Sequence, residues 1–97
     1  MAKYSLSPQA QESLKGIHAY TLKNFGKQQT SKYIKELRNR MRELAISPSK
    51  GQERKEVKSG YYSSFVGSHT IYYRIANNHI EVMDVLHQSM DPIKNLL

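Results

Sequence analysis

Apolar positions recur every three to four residues through the first half of the chain and every second residue through the second, with the change of period near Gly60. Ala10, Leu14, Ile17, Thr21 and Phe25 form one stripe, and Ile34, Leu37, Met41 and Leu44 another. Such spacing brings each set onto one face of a helix, so helices are predicted over residues 8–25 and 27–46. Ser7-Pro8 supplies a start, because the serine oxygen can accept from an orphan amide while proline stands where no donor is needed. Gly26 supplies a stop, as a residue that takes the left-handed conformation freely, and SPSKG (47–51) ends the second helix. With one residue between them, the helices must fold back as an antiparallel hairpin.

Ahead of the hairpin, KYSLS alternates polar and apolar and predicts a short strand. Beyond Gly60, YYSSFV, HTIYYRIA and HIEVMDVLH predict three more, the last two joined at Asn77-Asn78, a pair that tolerates the positive φ of a tight turn. For a two-residue loop, facing positions sum to 155: Ile75 meets Ile80, Arg74 meets Glu81, Tyr73 meets Val82 and Tyr72 meets Met83. Ile71, Tyr73, Ile75, Ile80 and Val82 then share one face, with Arg74 and Glu81 on the other. The expected fold is α+β: an N-terminal strand, then an antiparallel helical hairpin packed on a mostly antiparallel sheet that a three-strand meander completes. Residues 1–97 are expected to form a single domain, since a chain of this length supports one modest core.

Charge changes the picture more than composition does. Of the net +7, residues 27–58 carry +6, from ten Lys/Arg against four Glu, while residues 59–97 come to −1. A local basic face steers acidic partners or phosphate backbones, although a solvated helix face would read the same way. Lys35, Arg38, Arg42, Arg54 and Lys58 are the candidates to meet an acidic partner. No cysteine is present, and no run approaches the roughly 18 apolar residues of a membrane span. A cytoplasmic protein with no membrane role is expected.

Catalytic chemistry finds little support. His18, His69, His79 and His87 lie on different elements without ligand spacing, so neither a metal nor a cofactor is expected. No serine sits in a nucleophile elbow, and a glycine-rich phosphate loop is missing. Cleavage of RNA would need cations on the scissile phosphate and a side chain to move the proton. Arg54, Lys55, Lys58, Arg74, Tyr73 and His87 could supply them, but Tyr62 and Asp84 stand on strands where cations would be wanted, and a carboxylate repels phosphate. No catalytic residue is assigned. Tyr61 and Tyr62 read either as strand packing or as a sticky partner surface. His87 reads as an anchor beneath a C-terminal contact segment.

Taken in order, YSLSPQAQESLKGIHAYTLKNFGKQQTSKYIKEL, ELAISPSKG, GYYSSFVGSHTIYYRI and VLHQSMD resemble the ParE toxins of type II toxin–antitoxin systems, within the RelE/ParE superfamily. The likeness runs over almost the whole chain. Its most specific pieces are Leu44-Ala45 with Pro48 and Gly51, then Gly67 and His69 with Ile71-Tyr72-Tyr73-Arg74, and finally Leu86-His87 with Met90-Asp91. The resemblance implies a growth-inhibiting toxin, a ParD-like antitoxin that neutralises it, and DNA gyrase as target, with operator DNA met only through the antitoxin. Such chains commonly carry arginines where this one has Tyr62 and Asp84. The alternative that the superfamily implies is a ribosome-dependent mRNA endoribonuclease of the RelE type, which works through basic residues in this part of the fold. Candidate contacts for target or partner are Tyr61, Tyr62, Arg74 and His87, then Met90, Asp91, Leu96 and Leu97 at the end of the chain.

Overall fold

A computed structural model describes residues 3–96. Its elements run β1 (Lys3–Leu6), α1 (Pro8–Ile46), a 3-10 turn (Pro48–Lys50), β2 (Gln52–Glu53), β3 (Tyr61–Val66), β4 (His69–Ala76), β5 (His79–His87) and α2 (Pro92–Leu96). A straight 39-residue helix would reach about 58 Å, yet the longest dimension of the molecule is 37 Å. Gly26 breaks α1 with φ 84° and ψ 174°, and the two arms fold back as the expected hairpin. Ala10 and Leu14 of the first arm share a core with Leu37, Met41, Leu44 and Ala45 of the second.

The sheet has the order β1-β5-β4-β3-β2, with β1 parallel to β5 and every other pairing antiparallel. The two-residue β2 on the β3 edge was not expected: Gln52-Glu53 has no apolar alternation, and only its pairing with Tyr62-Ser63 makes it a strand. The β4–β5 turn holds Asn78 at φ 61°, and the register follows the two-residue-loop rule for Ile75–Ile80, Arg74–Glu81 and Tyr73–Val82. Beyond that it slips. Tyr72 pairs with Asp84, not Met83, because a bulge between Tyr72 and Tyr73 leaves Met83 over. The hairpin uses that irregularity: Ser7 donates its amide to Val82 O (3.0 Å) and its hydroxyl to Met83 O (2.6 Å), while its Oγ caps α1 by accepting from Ala10 N. One serine thus starts the helix and ties that start to β5.

Packing between hairpin and sheet buries Ile71, Tyr73, Ile80, Val82 and Val85 on the inner face. Ile75 keeps the expected pairing with Ile80 but is 47% exposed. Phe25 departs from the rest of its helical stripe, 64% exposed beside the Gly26 break at the hairpin tip. Asp84, noted in the sequence as a carboxylate on a strand where cations would be wanted, is buried. Its Oδ1 accepts from Ser13 Oγ on α1 (2.5 Å) and from the Val85 amide (2.8 Å), and burial lifts its pKa above the ordinary carboxylate value against those two bonds and the nearby Gln9 side chain. The raised value means that the native state holds the proton more tightly than the unfolded chain, so stability drops as pH rises through the folded pKa. Both bonds end on one oxygen, which an amide carbonyl can replace. Asp84→Asn should therefore unfold at neutral pH at the parent midpoint or up to a few degrees above it, and lose this limb of the pH dependence. A midpoint many degrees lower in thermal unfolding would mean that the charge itself is needed.

Candidate functional site

The hairpin tip overhangs the sheet and leaves an open groove of about 720 Å³ between α1 and the end of the β4–β5 ladder. Ile17, Tyr20 and Phe25 form one wall, Val85 and Leu86 the floor, and Met90 the rim. Tyr20 is 66% exposed and Met90 42%, a concentration of free apolar surface that marks interaction sites on small proteins. Among the described residues, no Lys, Arg, Asp or Glu lines it.

Polar chemistry enters the groove through His69 and His87, paired across β4 and β5 with ring centroids 5.4 Å apart. Tyr33 Oη lies 2.9 Å from Val66 O and 2.6 Å from His69 Nδ1. The carbonyl only accepts, so the hydroxyl donates there and accepts from His69 Nδ1–H, which leaves Nε2 of neutral His69 with its lone pair. Burial, and then the neighbouring His87, hold the His69 pKa below the ordinary histidine value. Gly67, at φ 58°, allows this packing: a Cβ there would lie 2.8 Å from the Tyr33 ring. Neither Tyr33 nor His69 was among the sequence candidates, and Tyr20 and Phe25 were missed as well. Their shared feature is that they line one groove built from both arms of α1 and the β4–β5 ladder, which periodicity does not record.

His87 is exposed and does not lie beneath the tail. Its Nδ1 accepts from Ser89 N (3.1 Å) and pairs with Ser89 Oγ (2.8 Å), so it holds the turn that leads to α2. Beyond it, Asp91 accepts from Ile93 N and caps α2, Leu96 is half-buried, and Leu97 lies outside the described residues.

A second groove, of about 620 Å³, runs between the two arms on another side of the hairpin. Leu22, Thr30 and Ile34 line it, together with His18, Lys27, Lys35, Arg38 and Arg42. Among the described residues, the ion pairs are Lys15–Glu12, Arg40–Glu43, Arg54–Glu56 and Arg74–Glu81, so these four groove cations enter none. Arg38 donates only to Tyr4 Oη (3.3 Å) and Arg42 to Asn39 Oδ1 (2.7 Å).

The remaining candidates do not gather with either groove. Arg54, expected to face an acidic partner, has an 18% exposed side chain that bonds Glu56 and Ser63 and lies over the Tyr72 ring. Arg74 is exposed but bonded to Glu81 at 2.7 Å. Tyr61 is buried, and Tyr62 stacks on Tyr73, so packing takes up most of what these rings could offer. Lys58 is exposed in the loop before β3. Among the described residues no group of three His, Asp or Glu side chains is placed to hold a metal ion. No described helix is long and apolar enough to cross a membrane.

A family model described as the ParE toxin of the type II toxin–antitoxin system parDE matches residues 4–92. The chain belongs to the ParE toxin family. Two relatives agree with that membership: Toxin ParE1 of Mycobacterium tuberculosis, 38% identical over 96 residues and 98% of each chain, and Toxin ParE1 of Caulobacter vibrioides, 34% identical over 91 residues and 94% of each. The same architecture occurs in the chromosomal ParDE system of P. aeruginosa, with a TM-score of 0.77 at 13% identity over 90% of this chain and 96% of that one. It recurs in the heterotetrameric YoeB–YefM toxin–antitoxin complex of Staphylococcus aureus, with a TM-score of 0.64 at 22% identity over 90% and 97%. The RelE/ParE fold expected from the sequence is therefore the fold of this chain. Its helical layer is one kinked α1, and its five strands include the unexpected β2.

Proposed function

We propose that this ParE-family toxin inhibits growth by binding and trapping DNA gyrase, without hydrolysing a substrate, and that a ParD-like antitoxin neutralises it by covering the hairpin. The observation that carries this reading is the apolar groove, which offers Tyr20, Phe25 and Met90 to a partner and presents no cation to a phosphate. Nuclease chemistry asks for cations and a proton-transfer group in one place. Here the two imidazoles stand apart from the guanidinium groups, and Arg54 and Arg74 are held by Glu56 and Glu81. Induction in cells should raise the DNA-damage response and leave translated messages uncut. Specific cleavage of ribosome-bound message that disappears in a folded His87→Ala variant would establish the endoribonuclease instead.

The antitoxin side of the proposal divides between the two grooves. Apolar side chains would enter the groove at His69 and Met90, and carboxylates would meet Lys35, Arg38 and Arg42 on the other. Operator DNA would be reached through the antitoxin. Exposed charges of this kind act mainly on encounter, so raising salt should slow association by roughly tenfold or more while changing dissociation less. The triple variant Lys35→Glu, Arg38→Glu, Arg42→Glu should associate slowly at any salt. Equal association rates at low and high salt, read by stopped flow, would remove the electrostatic part of the proposal.

A further inference from the structure

We propose, on the reading that the groove takes the antitoxin's apolar side chains, that acid releases them through protonation of the His69–His87 pair. The two imidazoles meet edge to face at 89° across β4 and β5, and both line the groove. Their Nδ1 atoms are already committed, that of His69 to Tyr33 Oη and that of His87 to the Ser89 amide. An incoming proton on His69 therefore goes to Nε2, beside the second imidazole. Protonating His87 at Nδ1 would instead set a donor against the Ser89 N–H and loosen the turn that carries Met90.

Among the described residues, nothing in the groove neutralises such a charge. The titratable groups that line it are the phenols of Tyr20 and Tyr33 from α1 and the two imidazoles from β4 and β5. Asp84 on β5 is turned to Ser13 and the Val85 amide, Asp91 caps α2, and Lys94 on α2 is exposed. The lining is mostly apolar, and a proton on each imidazole would set two positive charges side by side in it. Burial and His87 already hold His69 below the ordinary value of 6.5. Covering the groove removes more water and lowers that value again, so the complex binds fewer protons than the free toxin. By linkage affinity falls as pH drops below the free-toxin pKa, by up to about tenfold per pH unit for each proton excluded.

The test uses the full chain and the antitoxin encoded beside its gene. Affinity measured at about pH 7.5 and about pH 5.5 should fall severalfold, by up to roughly tenfold, and the ratio of the two affinities should shrink towards one in His69→Gln and further in the double variant with His87→Gln. Histidine ring resonances of the unmodified protein give a second readout that does not depend on the variants folding. The His69 titration midpoint should move to lower pH when antitoxin is bound. An unmoved midpoint, or the same acid sensitivity in the folded double variant, overturns the proposal. Amide protection separates the two readings: an antitoxin that binds without protecting the groove removes the docking reading and this inference with it. Protection with a flat pH profile removes the inference alone.

Discussion

Deleting residues 92–97 is expected to weaken growth inhibition sharply while leaving a cooperatively folded protein. The segment is five residues of α2 and the last residue, and its ties to the body are few. Asp91 caps α2 from outside the deletion, and Gln9 Nε2 donates to Asn95 O at 3.0 Å. Ile93 is 49% exposed, and none of the side chains of residues 92–96 belongs to the core cluster. Chain ends held this lightly contribute little to stability, so the thermal midpoint should stay within a few degrees of the parent. As contact surface, the same exposed side chains beside Met90 are what a target would use. Removing a central apolar anchor typically costs an interface about 2–4 kcal/mol, so the toxic dose should rise roughly a hundredfold. Antitoxin spread over both grooves should still co-purify. Loss of cooperative unfolding in the truncated chain would assign the tail to the core instead.

Tyr73→Ala should come close to unfolding the domain. Tyr73 heads the fully buried side chains by size, at the centre of the sheet. Its ring stacks on Tyr62 at 5.6 Å, and its hydroxyl donates to Pro48 O at 2.6 Å, tying β4 to the turn that ends α1. Removing a buried aromatic costs about 3–5 kcal/mol, against a total of roughly 5–15 kcal/mol for a domain of this size. Tyr73→Phe separates the two contributions, since it keeps the ring and leaves the Pro48 carbonyl without its donor, at about 1–3 kcal/mol. Gly51 belongs to the same arrangement, because a Cβ there would collide with the Tyr73 hydroxyl. Chemical denaturation of the three proteins should rank parent above Phe above Ala. A phenylalanine variant as unstable as the alanine one would place the whole effect in the hydroxyl.

Local rules were enough wherever a residue's fate depends on near neighbours in the chain. Ser7-Pro8 starts α1, Gly26 turns it, Asn77-Asn78 closes the β4–β5 hairpin, and the first three facing pairs follow from the length of that loop. Capping, left-handed φ and side-chain period all act within a few residues, so the sequence by itself determined the hairpin, the meander and the side of each strand near its turn. Tertiary structure decided what depends on where elements end relative to one another. Ser7 takes the carbonyls of Val82 and Met83, and the bulge there shifts the register and brings Asp84 under Ser13. Phe25 lies on a helical stripe but at the hairpin tip, where it is exposed and helps to wall a groove. The histidines on its floor are 18 residues apart in the chain and meet only because β4 and β5 pair in that register. Periodicity places a side chain on a face, and only the opposing element determines whether that face is covered.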